Sequence, residues 1–384
     1  MCGFHENTGL ARRYLRNVCS LFCAVIIVLS VSAQNTTQPE AEIYFGDHIA
    51  RIDATAVAQF DRGYQLFIKV WNESEGLGPN FNAKSCANCH HIPVPGGSEL
   101  APHTFVMHSL SVRDEIGGHT FQRFNVKENA VGENPLPTTY ISRKTQSLFG
   151  LGLLETVPLD YLTKIEDPKD RNHDGISGRL PRISKGVGRF GWKSQSISIE
   201  EFVNTAFTLE LGLTTSTYRM SNAMLHPVKG NIKPEVSYDK VLAVSTFIRL
   251  LAPPPRRTIS QRLIGGDKIF DDIGCSSCHK PELPTITKVG SNRIIHPFTD
   301  LLLHDMGPEL RGGFREGAAS RSEFRTAPLW GLSSTGPPFL HDGRAKNIES
   351  AILLHGGEAA RSSRAFRLLA QDDKDKLLEF LRCI

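Results

Sequence analysis

Two pentapeptides in this chain have the residue types and spacing of a covalent cofactor site. Cys86-Ala87-Asn88-Cys89-His90 and Cys275-Ser276-Ser277-Cys278-His279 both read C-x-x-C-H. Two cysteines three positions apart lie on one face of a helical turn, where both sulfurs can bond the vinyl groups of one porphyrin. The histidine that follows then falls beneath the iron as its axial ligand. Other uses of the motif fit less well. A four-cysteine zinc ribbon sets its halves about 15–20 residues apart, far closer than Cys89 and Cys275 stand. A thioredoxin-like site needs only one C-x-x-C, and plain disulfides leave both histidines unused. The expectation is two c-type haems, one through Cys86, Cys89 and His90, the other through Cys275, Cys278 and His279.

The elements that must position these sites repeat along the chain. Gly63-Tyr64-Gln65-Leu66-Phe67 leads to the first site and Gly266-Asp267-Lys268-Ile269-Phe270 to the second. After each site comes T-x-x-L-aromatic-G-L, at Thr145–Leu151 and Thr326–Leu332. Each half closes on an apolar helical stretch, Asp239–Leu250 and then Asp375–Arg382, with F-[IL]-R in both. Between them Pro253-Pro254-Pro255 cannot continue a helix and marks a linker. The organisation read from this is two cytochrome c-like haem domains in tandem, at 41–252 and 258–384, the first enlarged by an insertion over roughly Leu159–Gln195. Few apolar runs of period two occur, so the fold class is mainly α and loop-rich, with haem filling much of each core.

Arg12, Arg13 and Arg16 precede an uncharged run to Ala33 that ends in Val31-Ser32-Ala33. This is the layout of a cleaved signal peptide over residues 1–33, its apolar centre short of the ~20 residues a spanning helix needs. The expectation is export to the periplasm and no stable membrane insertion after processing. Cleavage leaves five cysteines, of which only Cys383 lies outside the two motifs, so thiol oxidation by an internal pair has no support. The 44 Lys and Arg against 40 Asp and Glu are too balanced and too dispersed for nucleic acid as the partner. Hydrophobic residues at 40% exclude a disordered chain.

The ligand on the far side of each iron decides whether a haem only passes electrons or also binds an oxidant. Beyond His341-Asp342-Gly343, Asn347 reads as a helix N-cap and Gly356-Gly357 as its stop. Ile348, Ala351, Ile352 and His355 fall at i, i+3, i+4 and i+7, so His355 extends an apolar stripe toward a covered haem. Met306 is a rival, set in a Gly-Pro-rich turn. For the first haem, His103 and His108 lie in the following loop, and an open or weakly closed site is the preferred reading.

The chain resembles the bacterial di-haem cytochrome c peroxidase superfamily, and within it the branch of di-haem oxidoreductases also called peroxidases or thiol oxidoreductases. The two C-x-x-C-H sites carry the resemblance, together with His296–Asp300, Leu303–Gly307, Phe324–Leu329 and Phe339–Glu358. The resemblance implies a distal ligand fourteen residues after His341, which is His355 and gives His279/His355 coordination. Histidine there in place of methionine lowers the reduction potential. It also implies a carboxylate near the oxidant to move its proton, for which Glu155 is the motif-based candidate. The first-half Phe-Trp-Asp-Gly-Arg of the better-known peroxidases is missing; Trp192 and Trp71 are the possible substitutes for its tryptophan. Arg143 and Arg325, beside the repeated motif, are candidate partners for haem propionates.

Asp170-Arg171-Asn172-His173-Asp174-Gly175 matches the opening of a calcium loop, with Asp170, Asn172 and Asp174 as oxygen ligands, although Pro181 stands where the bidentate carboxylate belongs. The function expected is a periplasmic di-haem oxidoreductase that takes electrons from a small donor protein, a cytochrome c or cupredoxin. It passes them from the C-terminal to the N-terminal haem and reduces hydrogen peroxide. The rival is a pure electron-transfer cytochrome with both haems six-coordinate, serving a dehydrogenase or reductase. A third reading is oxidation of a partner protein's side chains at a distance.

Overall fold

The computed structural model describes residues 43–99, 107–109, 118–120, 122, 124–127, 142–217, 233–257, 264–289, 292–313 and 315–384. The signal-peptide segment and His103 lie outside these residues, and His108 is described only as backbone, in the strand Met107–Ser109. Helices carry most of the regular structure: α1 Ala54–Ile68, α2 Leu151–Glu155, α3 Leu159–Ile165, α4 Ile199–Leu211, α5 Tyr238–Leu250, α6 Gly266–Asp272, α7 Leu332–Thr335, α8 Ile348–Leu353, α9 Ala360–Leu368 and α10 Gln371–Cys383. The strands among the described residues pair only into short two-stranded antiparallel ladders. No described helix is long and apolar enough to cross a membrane.

The repeated flanks become repeated packing. Asp53 caps α1 through its side chain on Ala56 N, and the buried stripe Phe60, Gly63, Phe67 faces α5. Gly63 is required there: a Cβ would stand 2.1 Å from Ala243 O and 2.7 Å from Phe247 Cβ. Gly266 meets α10 in the same way, at 2.3 Å from Lys376 O and 2.6 Å from Phe380 Cβ. In both crossings the glycine touches a carbonyl and the Phe one turn beyond it, which sets the two helix pairs at equivalent close approach. Each pair leads to a short 3₁₀ turn that carries the cysteines, Cys86–Asn88 and Cys275–Ser277.

Two apolar clusters follow the two helix pairs. One gathers Phe60, Phe67, Trp71, Phe149, Phe207 and Phe247, and the other Phe270, Phe298, Phe366, Leu377 and Phe380. A third joins Leu153, Leu154, Leu162 and Leu180 to Leu283, Ile295, Leu301 and Leu302, so it spans the proline linker. The inserted segment contributes to that joint. Arg179 pairs bidentately with Glu323, and the fully buried Lys193 donates to the carbonyls of Ser320, Arg321 and Glu323. Three carbonyl oxygens offset part of the cost of burying one ammonium. Burial nevertheless brings its pKa down to about 8, with Glu316 acting against that shift.

Candidate functional site

One cavity of about 680 Å³ is lined by both C-x-x-C-H motifs, a volume within the ~300–1,000 Å³ usual for small-molecule and cofactor sites. His90 N bonds Cys86 O at 3.1 Å and His279 N bonds Cys275 O at 3.0 Å, the turn that brings each histidine under its own cysteine pair. Each ring is then fixed through Nδ1, His90 on Gly97 O at 3.1 Å and His279 on Phe298 O at 3.0 Å. This anchoring leaves Nε2 as the nitrogen available to an iron, the arrangement metal-bound imidazoles need. Burial lowers the pKa of both histidines to about 4, so the neutral, ligating form prevails. Burial pushes the Cys86 and Cys275 thiols up to about 12, which makes them poor thiolates and poor redox nucleophiles.

The wall continues as a residue-by-residue repeat. Ser98 Oγ donates to Thr145 O at 2.6 Å, and Thr299 Oγ1 to Thr326 O at 2.7 Å. Leu148 N reaches Gly96 O, and Leu329 N reaches Pro297 O. Two further loops, Phe190–Ser196 and Phe339–Ala345, are each closed by a reciprocal pair of backbone hydrogen bonds between their end residues. Two positions later each chain enters a helix through a side-chain cap, Ser198 on Glu201 N and Asn347 on Ser350 N. Eight residues beyond its cap, from 347 to 355, the second helix segment delivers His355. The same count from 198 delivers Ala206. Both line the cavity.

His355 does not sit in the regular helix that its spacing suggested. α8 ends at Leu353, and His355 occupies the turn beyond it, with Nδ1 on Ala351 O at 2.7 Å. The helix stops early because the next two residues, Gly356 and Gly357, press against the backbone of Asp305 and Met306. The His279 and His355 ring centroids are 6.5 Å apart. One metal between two imidazoles, with bonds of about 2.0–2.1 Å on each side, requires a separation of about this size. Burial lowers the His355 pKa as well. These residues therefore fit a haem iron held between His279 and His355. At the first site the position matching His355 offers a methyl group.

Buried cations surround the cavity. Arg143 is paired with Glu316 at 2.6 Å, Lys144 donates to Glu99 O, and Arg325 donates to Gly191 O at 3.1 Å. Burial lowers Lys144 to about 8, opposed by Glu99, and Arg325 to about 10, opposed by Asp300. A porphyrin brings two carboxylates, and Arg143, Lys144 and Arg325, which all line the cavity, would offer them cationic partners. The repeat aligns Lys144, not Arg143, with Arg325.

Trp192 lines the same cavity, its indole donating to Lys144 O at 2.8 Å. It stands edge-on to His341 at 6.4 Å, and His341 stacks on Phe324 at 3.9 Å. Trp71 does not take such a place: it is buried in the first apolar cluster, edge-on to Phe207, and acts as a packing residue. Glu155 is a second correction. Its Oε1 accepts from Ile199 N at 2.9 Å and its Oε2 from Arg249 Nε at 2.7 Å, so it caps α4 and pairs with Arg249 rather than lining the cavity. Among the described first-half residues the carboxylate that does line the cavity is Glu210, one turn beyond Ala206 on α4 and hydrogen-bonded by Asn82 Nδ2 at 2.9 Å. Sequence reading missed Ala206 and Glu210. Aligning Phe190-Gly191-Trp192 with Phe339-Leu340-His341 would have located Ala206, whereas Glu210 is found only from the fold.

In the 170–175 loop the oxygens proposed for calcium are engaged by the loop itself. Asp170 accepts from Gly175 N, Asn172 from Asp174 N, and Asp174 from Ile176 N, as in linked Asx turns. No group of three or more His, Cys, Asp or Glu able to hold a metal ion occurs among the described residues.

Comparison with known proteins gives a fold family. The chain is similar to hydrazine synthase of Kuenenia stuttgartiensis, at 16% identity and a TM-score of 0.45, covering 94% of this chain and 100% of that one. It is similar to a MauG-like protein associated with microbial copper homeostasis, at 15% and 0.45, covering 91% and 95%. It is also similar to the diheme peroxidase BthA of Burkholderia thailandensis, at 15% and 0.46, covering 87% and 86%. No curated protein matches it. The family model described as "Di-haem oxidoreductase, putative peroxidase" matches residues 120–384, and the chain belongs to that di-haem oxidoreductase family.

Proposed function

We propose that this chain is an exported, tandem-domain oxidoreductase with two covalently attached c-type haems, and that it reduces hydrogen peroxide at the first. Cys86 and Cys89 would hold one haem with His90 as its axial ligand, and Cys275 and Cys278 the other between His279 and His355. When bound, the haems would supply one-electron redox chemistry and, at an iron with a free position, a place for the oxidant. The observation that supports the reading is the pair of matching positions, His355 6.5 Å from His279 and Ala206 at the corresponding place in the first half, both lining the cavity.

The remaining roles belong to side chains. Phe202, Val203 and Leu209 wall the space beside Ala206 and limit water there. Glu210 takes the proton of one peroxide oxygen and returns it to the other as the O–O bond breaks, the task assigned to a positioned carboxylate. Asn82 orients that carboxylate by its hydrogen bond. Conversion of one peroxide to two waters takes up two electrons and two protons, so a small electron-carrier protein is the partner required. Lys144 and Arg325, and Arg143 alongside its pairing with Glu316, would offer cationic partners to the propionates, and Trp192 lines the same cavity.

The test mixes reduced holoprotein with peroxide and, separately, titrates it with cyanide. The expected result is rapid oxidation and one cyanide-binding haem per chain. Indifference to both reagents would instead identify a pure electron-transfer cytochrome.

A further inference from the structure

The second half contains a buried ionic arrangement centred on His304. His304 and Asp300 are 2% and 1% exposed. His304 Nε2 faces Asp300 Oδ2 at 2.9 Å, and its Nδ1 faces Glu358 Oε2 at 2.8 Å. A ring with a carboxylate on each nitrogen donates from both, so it is held as the imidazolium. Burial alone would neutralise His304, yet Asp300 first, and then Cys278, whose Sγ lies 3.6 Å from His304 Nδ1, raise its pKa well above the usual histidine range. The Glu358 carboxylate also accepts from Ser177 N at 3.1 Å, Ser177 Oγ at 2.7 Å and Asp305 N at 3.2 Å.

Glu358 lies three residues beyond His355, and the two glycines between them leave no room for side chains. A Cβ on Gly356 would stand 2.9 Å from Met306 O, and one on Gly357 would stand 2.1 Å from Asp305 O. One carboxylate therefore ties the turn that presents His355 to the strand Leu303–Asp305 and, through Ser177, to the inserted segment. By the repeat count the first-half residues matching His355 and Glu358 are Ala206 and Leu209. At the position of Glu358 the first half has an apolar residue, so Leu209 cannot make the same tie.

We propose that His304, Asp300 and Glu358 are positioning residues that hold the turn bearing His355 against the second haem site and so keep His355 opposite His279. The proposal rests on His355 being an axial ligand. The clamp works through the backbone of residues 355–358; loss of His304 would leave two buried carboxylates unpaired, whereas loss of the Glu358 charge leaves the His304–Asp300 pair in place and removes only the tie to the turn.

The test uses holoprotein carrying Glu358→Gln or His304→Gln, read by absorption and EPR spectra and by titration with imidazole. Each variant should retain the first haem's spectrum, gain a high-spin fraction at the second haem, and bind added imidazole there roughly 10–100-fold more readily. An unchanged second haem in both variants would overturn the proposal, and so would a change spread equally over both haems. His355→Ala separates the underlying assumption: a second haem that stays low-spin in that variant refutes His355 ligation itself. Loss of the low-spin signal in His355→Ala, with both clamp variants unaltered, refutes only the clamp.

Discussion

The two halves share a frame and differ where chemistry is decided. Gly63 and Gly266 seat equivalent helix pairs, and His90 and His279 are anchored on equivalent carbonyls. The loops Phe190–Ser196 and Phe339–Ala345 close in the same way before capped helices. The differences sit on the opposite wall: Ala206 against His355, Leu209 against Glu358, Trp192 against His341. One scaffold thus repeats the same C-x-x-C-H turn and anchored histidine, and a few helix positions distinguish the two copies. In our reading this makes one site reactive and the other a closed relay.

The comparison is broken most directly by exchanging the residues that distinguish the halves. Ala206→His should close the first site, abolishing cyanide binding and peroxide oxidation in rapid-mixing experiments while two haems remain attached. Retained reactivity would mean that α4 does not cover that haem. Glu210→Gln should leave cyanide binding intact and slow peroxide oxidation by roughly 10²–10⁴-fold, the range for loss of a positioned acid–base group. Glu155→Gln, away from the cavity, should leave that rate near the parent value.

The shared frame is tested by stability. Gly63→Ala and Gly266→Ala should each cost about 1–3 kcal/mol in denaturant unfolding of the holoprotein, because the added methyl meets a backbone carbonyl. A large difference between the two would show that the crossings are not equivalent. The smallest effect concerns the joint between the halves. Burial raises the Glu323 pKa, but its bond to Arg179 outweighs this and holds it below the ordinary carboxylate range. Its stabilisation is therefore complete above that range and fades as pH falls through the lowered value. Glu323→Gln should melt slightly below the parent at pH 7, by under about 1 kcal/mol, and converge with it in acid.

Local signals made much of the frame legible. The paired C-x-x-C-H turns, the glycines before them, the closing helices and the Asn347 cap are each written in a few adjacent residues. His355 was reached by counting along a helix, although the chain leaves that helix two residues sooner. What was not legible depends on contacts between distant segments. Glu155 follows the repeated motif closely, but only the fold shows that Arg249 and the start of α4 occupy its carboxylate. Glu210 carries no motif and becomes a candidate because α4 lies along the cavity. Ala206 is informative for what it lacks, and a missing ligand is recognised only beside its counterpart. The inserted segment read as an enlargement of the first half, yet Ser177, Arg179 and Lys193 bond mainly to the second.

The central claim is that the two haem sites differ in their distal ligand. EPR of the oxidised holoprotein tests it most directly. The account predicts one low-spin signal of bis-histidine type, lost in His355→Ala, beside one high-spin signal, lost in Ala206→His. Two low-spin centres in the parent, or a high-spin centre that maps to the Cys275–His279 site, would contradict it.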